Sequence, residues 1–197
     1  MVSIGCYQVQ VRTYVFGGKI GRKTAFLLPA KELDMPLNWD FVWKELFEKT
    51  RFDAEGLTKL VFQEKVFGLV RYSLYPCPEK PKYIFINQME AIPNGSGLIS
   101  ERLVEPIGKW LLWYVIQVAL SRCSKDVKDK GDNNLVVLEA LDSAFDYYRD
   151  KIGMRHLGSS GGAPGEDVSI FAFSWDEAKV FCTEQTKKHG SPNILKA

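Results

Sequence analysis

The apolar stretch WLLWYVIQVAL, at residues 110–120, restricts the fold more than any other part of the sequence. A helix over these residues is apolar on nearly every face, as expected for a helix that is buried on all sides. A membrane-spanning helix needs about 20 apolar residues, roughly twice this length. We therefore predict a central buried helix that begins near Pro106, since proline is well tolerated in the first helical turn.

The residues before this helix predict one strand, one helix and three further strands. Alternating polar and apolar residues predict an opening strand at 6–16, and the Gly- and Pro-containing residues 17–38 predict a connector. An amphipathic helix is predicted to follow, with Asn38 as its cap. Two strands then form a predicted hairpin around Glu64 and Lys65, and a third strand, KYIFINQMEAIP, ends at Pro93.

The residues after the central helix begin with the stretch NNLVVLEALDSAFDYYRDKIG. Its apolar, β-branched start predicts a strand, Asp142 or Ser143 can cap a following helix, and Gly153 can end that helix. Two more strands and a terminal helix are predicted after it. The order of elements favours an α/β (α+β) fold, with a mixed sheet and helices on both faces.

Composition excludes several classes of function. The 197 residues are 46% hydrophobic, which is typical of a globular chain, and we expect a single domain over residues 1–197. A net charge of +2 gives no argument for a nucleic-acid partner. No apolar segment is long enough to span a membrane, so we predict no membrane partner. Four cysteines without a Cys-x-x-Cys pair and only two histidines predict no metal site, reduced thiols and a cytoplasmic protein.

Three blocks of the sequence together resemble the GNAT acetyltransferase superfamily. They are INQMEAIP, EPIGKWLLWYVIQVAL and LVVLEALDSAFDYYRDKIGM, and the match spans residues 59–175, leaving residues 176–197 as a terminal helical extension. The resemblance implies a mostly antiparallel sheet in which the family's fourth and fifth strands splay apart. It also implies transfer of an acetyl group from acetyl-CoA to a small-molecule or peptide amine, and a possible homodimer.

The resemblance further implies which residues bind acetyl-CoA. The family's diphosphate loop usually reads Gln/Arg-x-x-Gly-x-Gly; here Gly108 matches, Pro106 replaces the earlier glycine and Leu103 replaces Gln/Arg. The amides that open the helix would bind the diphosphate, because a helix N-terminus has free N–H groups and partial positive charge. The implied cofactor-binding residues, in the helix and on the fourth strand, are Ile107, Gly108, Lys109, Trp110, Met89, Ala91 and Ile92. Alternatively, Gly108 is only a small residue at a crowded helix start.

Acetyl transfer to an amine needs a base and an acid. Glu90, in an otherwise apolar strand, is the predicted base, with Glu139 as a weaker candidate. A solvent-facing strand residue is the alternative for Glu90, because alternation places it on one face with Ile84, Ile86 and Gln88.

The resemblance implies a tyrosine near the thiol sulfur that protonates the departing thiolate. Tyr148 fits best, because the helical spacing turns it towards the apolar face and leaves Tyr147 more exposed. The choice between the two tyrosines stays open, and Tyr148 could instead be an ordinary core residue.

Two further classes of function stay open. One is a protein of the same fold that does not catalyse, and that serves as an acyl-CoA-binding or protein-interaction module. The incomplete glycine loop and Pro106 favour that alternative. The other is a hydrolase with a cysteine nucleophile, for which the sequence offers no convincing Cys–His pair.

Overall fold

The computed structural model describes residues 2–15, 19–92, 104–124, 133–161 and 167–195. Leu103, in the predicted diphosphate loop, lies outside these residues. The strands are β1 (Cys6–Val15), β2 (Lys19–Pro29), β3 (Glu55–Phe62), β4 (Lys65–Tyr75), β5 (Tyr83–Ala91), β6 (Val104–Glu105), β7 (Asn134–Leu141), β8 (Arg155–Gly161), β9 (Asp167–Ser174) and β10 (Asn193–Leu195). The α-helices are α1 (Trp43–Glu48), α2 (Ile107–Arg122) and α3 (Trp175–His189).

The described strands form one mixed sheet in the order β10-β1-β2-β3-β4-β5-β7-β9-β8, and β6 pairs with β1 beside this path. Every described pair is antiparallel except β5 with β7, which is parallel. The predicted mixed, mostly antiparallel sheet is therefore confirmed.

Helices cover both faces of this sheet. On one face α1 brings Trp43 onto a small cluster with Met35, Leu57 and Leu69. On the other face α2 lies in the main core, where ten of its side chains are buried, from Ile107 to Ala119. The prediction of a central buried helix that begins near Pro106 is confirmed, because α2 begins at Ile107, directly after Pro106. None of the described helices is long and apolar enough to cross a membrane.

The connector predicted at residues 17–38 is wrong over much of its length, because Lys19–Pro29 form strand β2. β2 pairs with β1 along nine residue pairs and buries Ala25 and Leu27 completely. The strand follows from its pairing with β1, because Gly21 lies directly opposite Thr13 and does not interrupt the ladder.

Two predicted helices differ from the structure at their starts. α1 begins at Trp43 and not at Asn38, because the amides of Asp40 and Phe41 donate to the Glu90 carboxylate and hold the chain outside the helix. The segment after β7 has no side-chain cap and forms a 3₁₀ turn, Asp142–Ala144, then a π-helical stretch, Tyr147–Ile152. Gly153 ends it at φ +81°, as predicted, because glycine adopts this left-handed conformation without strain.

Strand β5 changes the face that its side chains present. Arg71 of β4 pairs with Gln88, but the next residue, Tyr72, pairs with Ile86, so Asn87 is an extra residue in β5. Ile84 and Ile86 consequently lie in the main core on the α2 face. Glu90 turns to the α1 face, and the alternation that grouped Ile84, Ile86, Gln88 and Glu90 on one face is wrong.

Candidate functional site

Strands β5 and β7 separate part-way along their length. They are paired from Ile84 with Val136 to Ile86 with Leu138. Beyond that point β5 continues beside β4 as far as Ala91, and β7 continues beside β9 as far as Leu141. The sheet therefore opens between residues 87–91 and residues 139–141, which we call the slot, and the predicted splayed pair is confirmed.

The first turn of α2 lies over the β5 side of this slot. Gly68 of β4, which pairs with Ala91 of β5, faces Ile107 and Leu111 so closely that an added Cβ would lie 2.4 Å from Ile107 Cγ2. Among the described residues no side chain caps α2, and its first turn contains no acidic residue. The first turn of α2, with its amides that have no helical acceptors, therefore lies beside the end of β5 at the slot.

Gly108 is in contact with the segment that follows β7. A Cβ at residue 108 would lie 2.7 Å from the Tyr147 hydroxyl oxygen, so no larger residue fits there without displacing the tyrosine. This contact supports the interpretation of Gly108 as a small residue at a crowded helix start. It also brings Tyr147 to the N-terminus of α2, which the sequence pattern did not indicate.

The side chains of the other predicted cofactor-binding residues are mostly inside the fold. Trp110 is fully buried, and its Nε1 donates to the Gln10 carbonyl oxygen at 2.8 Å. Met89, Ala91 and Ile92 are half-buried and pack on the main core. What these residues can offer to a ligand is mainly backbone amides and carbonyls. Lys109 also has a charged side chain to offer. Burial and the nearby Lys188 lower the pKa of its ammonium group.

The Glu90 carboxylate is already a hydrogen-bond acceptor for three donors. Its Oε1 accepts from the Asp40 amide at 2.8 Å, and its Oε2 accepts from the Phe41 amide at 3.3 Å and from Trp43 Nε1 at 2.7 Å. Since a carboxylate has about four acceptor sites, one remains for a further proton donor. Glu139, at the opposite side of the slot, is an exposed residue of β7.

The two tyrosines after β7 occupy different environments. Tyr148 is 9% exposed, and its ring packs against Phe171 of β9 with the ring centroids 5.8 Å apart. Burial, and then the neighbouring Tyr147, raise the pKa of the Tyr148 hydroxyl well above its ordinary value. Phe171 pairs with Leu138, which is the last residue of β7 that pairs with β5. Tyr148 packs on Phe171, so it lies level with the point at which the two strands begin to separate.

A polar network on the α1 face holds the bulge that starts the slot. The Arg71 guanidinium donates to Gln88 Oε1 at 3.1 Å and to Glu55 Oε2 at 2.7 Å. The Ser73 hydroxyl donates to Asn87 Oδ1 at 2.7 Å. Both residues at the bulge are thus bound by side chains of β4. Sequence reasoning missed this network, because its partners are 14 to 17 positions apart.

Comparisons with known proteins identify the fold. No protein-family model and no curated protein matches the sequence. The structure is similar to an N-acetyltransferase from Staphylococcus aureus Mu50, with a TM-score of 0.50 and 15% identity over 78% of this chain and 99% of that one. It is also similar to the ribosomal-protein-alanine N-acetyltransferase from Brucella melitensis, with a TM-score of 0.50 and 14% identity over 75% and 98% of the two chains. The chain has the GNAT acetyltransferase fold.

A further structure with this fold is an uncharacterized protein from Bacillus halodurans. It matches with a TM-score of 0.53 and 13% identity, over 84% of this chain and 92% of the other. In this GNAT fold β5 and β7 are the strands that the sequence resemblance assigned as the splayed pair, and α2 is the helix assigned to the diphosphate. The structure brings the amides of α2, β5 and Tyr147 together at one end of the slot.

Proposed function

We propose that this protein transfers the acetyl group of acetyl-CoA to the nitrogen of an amine. The observation that carries the proposal is the slot between β5 and β7, with the uncapped first turn of α2 at its end. A slot of this kind suits a linear thioester arm, and an uncapped helix N-terminus suits the diphosphate joined to it.

The residues around the slot fit the parts of this substrate. The diphosphate would lie at the amides of Ile107–Trp110, since the first turn of a helix has amides without helical acceptors. The edge of β5 that faces the slot, at residues 87–91, is not paired with β7 and can bond amide groups of the arm. Gly68 supports this arrangement, because only a residue without a side chain lets α2 lie so close to β4.

The reaction forms a C–N bond between the amine and the thioester carbonyl carbon and breaks the C–S bond. A carboxylate removes one proton from the amine, and an acid returns one proton to the thiolate sulfur. Glu90 is the proposed base, through its remaining acceptor site. Tyr148 is the proposed acid, because it packs on Phe171, level with the last paired residue of β7, and its hydroxyl is protonated at neutral pH.

The first experiment measures free thiol when the pure protein is incubated with acetyl-CoA and a panel of amines. We expect amine-dependent thiol release, and its absence with every amine would contradict catalysis. Glu90→Gln and Glu139→Gln form a matched pair on the two sides of the slot. If Glu90 is the base, Glu90→Gln lowers kcat by about 100-fold or more and leaves the dissociation constant for acetyl-CoA unchanged, whereas Glu139→Gln has little effect.

The second candidate is an acyl-CoA-binding or protein-interaction module that does not catalyse. The favouring observations are the three hydrogen bonds that occupy the Glu90 carboxylate and the packing of Tyr147 on Gly108 at the helix start. Titration calorimetry with a non-hydrolysable acetyl-CoA analogue separates the candidates. Binding without thiol release would favour the binding module, and no binding would favour an interaction role.

A further inference from the structure

The β1 side of the first turn of α2 meets two other elements, β1 and α3. Trp110 bonds the Gln10 carbonyl of β1, and the His189 ring, at the end of α3, stands edge-on to Trp110 with centroids 6.0 Å apart. In the sheet, β1 and the slot lie on opposite sides of β4. The junction of β1, α2 and α3 is therefore on the side of α2 that faces away from the slot.

Like charges are brought together at this junction at a cost in stability. Arg12 and Arg22 are directly opposite each other in the β1–β2 ladder, where two cations repel. Lys109 lies in the first turn of α2, where the helix dipole disfavours a cation. Two carboxylates also belong to the neighbourhood: Glu105 is opposite Arg12 in the β1–β6 ladder, and Glu184 lies near Lys109.

His189 provides an independent sign that a ligand is expected here. The residue is only 6% exposed, and its ring makes no hydrogen bond with any described residue. Burial, and then the cations of Arg12, Lys188, Lys109 and Arg22, lower the pKa of His189 to about 4. An imidazole that is mostly buried and that is influenced by cations of β1, β2, α2 and α3 is a suitable donor to an anion.

We propose that this junction, with Arg12, Arg22, Lys109, Lys188 and His189, binds the 3′-phosphate of the CoA thioester. The inference rests on the proposed function. In that substrate the thioester arm leads to the diphosphate and then to the 3′-phosphorylated nucleoside. With the arm in the slot and the diphosphate at the amides of α2, the remaining phosphate is the anion that can reach the far side of this helix.

Lys188 and His189 are residues of the proposed site that the resemblance to the GNAT superfamily did not provide. Both lie in the terminal extension, residues 176–197, outside the part of the sequence that resembles the GNAT superfamily. A purely structural role is the competing explanation, because cations in the last turn of a helix complement its dipole. That explanation predicts that the affinity for the ligand does not depend on its 3′-phosphate.

The test compares the dissociation constants of CoA and 3′-dephospho-CoA by titration calorimetry. We expect the wild-type protein to bind CoA about tenfold more tightly, as one charge-assisted phosphate contact would give. Lys188→Ala should abolish this preference. Lys179→Ala is the matched control, because it removes the same charge from α3 about 13 Å away along the helix and should retain the preference.

NMR titration of the two histidine rings provides a readout that does not depend on any variant. A bound 3′-phosphate stabilises the His189 imidazolium, so CoA should raise the pKa of His189 more than 3′-dephospho-CoA does, while exposed His156 stays unchanged. Equal affinities with equal His189 titrations would overturn the inference and leave the proposed function standing. Failure of both ligands to bind would overturn the proposed function, and the inference with it.

Discussion

Replacing Gly68 with alanine tests whether the position of α2 controls ligand binding. The added carbon would lie 2.4 Å from Ile107 Cγ2 and 2.9 Å from Leu111 Cδ1. Carbon atoms in contact are about 3.5–4.0 Å apart, so the first turn of α2 must move by about 1 Å away from β4. This movement carries the amides of Ile107–Trp110 with it.

Two effects of different size follow from this displacement. Overpacking of a core costs about 1–3 kcal/mol, which in a chain of this length lowers Tm by about 2–4 °C for each kcal/mol. A misplacement of about 1 Å in a binding site can cost about 100-fold in rate. Gly68→Ala should therefore lower kcat/KM for acetyl-CoA by up to about 100-fold, a much larger change than the modest loss of stability suggests.

Gly56→Ala is the matched control for this experiment. Its added carbon would lie 2.3 Å from the Tyr72 ring, so it overpacks the same core without touching the first turn of α2. Calorimetric Tm values, acetyl-CoA dissociation constants and kcat/KM for acetyl-CoA are measured for both variants. If Gly68→Ala bound acetyl-CoA as tightly as Gly56→Ala at similar Tm values, the assignment of the diphosphate to the start of α2 would be refuted.

Three other predictions address the bulge, the acid and the buried imidazole. Arg71→Ala leaves the Glu55 carboxylate, which is 14% exposed, without its cation and should lower the free energy of unfolding by at most about 3 kcal/mol, measured by urea denaturation; an unchanged midpoint would contradict the network. Tyr148→Phe should lower kcat about 100-fold while Tyr147→Phe retains most of it, and steady-state kinetics that show equal losses would argue against Tyr148 as the acid. Because His189 in the folded chain stays neutral down to about pH 4 while the unfolded chain binds the proton near pH 6.5, stability should fall as pH falls between these values, by up to about 3 kcal/mol. Urea denaturation of His189→Gln should show a weaker dependence on pH over this range, and identical profiles would contradict the buried, neutral imidazole.

Local signals in the sequence were enough to predict the elements that later frame the site. An apolar helix such as α2 is buried wherever it lies, so its central place did not depend on knowing its neighbours. Gly153 is similar, since a left-handed residue at a helix end is a property of a few consecutive positions. The greater burial of Tyr148 than Tyr147 followed from helical spacing in the same way.

Several features that sequence reasoning missed depend on distant partners. The bulge at Asn87 is bound by Ser73 of β4, 14 positions earlier, and no pattern within β5 itself signals an extra residue. The late start of α1 depends on Glu90, which lies about 50 positions after the amides that it accepts from. The end of α3 comes near β1 because Trp110 of α2 contacts both His189 of α3 and Gln10 of β1.

The bulge also determines how the proposed catalytic groups are divided between the two sides of the sheet. Without the extra residue Asn87, Glu90 would face α2 together with Ile84 and Ile86; with it, Glu90 faces α1. Tyr148 belongs to the core on the α2 face. Acetyl transfer needs a proton removed from the amine and a proton returned to the sulfur, at different atoms of the reacting centre. A base on one face of an open slot and an acid on the other supply these two transfers without competing for one position. The network of Arg71 and Ser73, which fixes the bulge, is therefore as important to the proposed reaction as the carboxylate that it places.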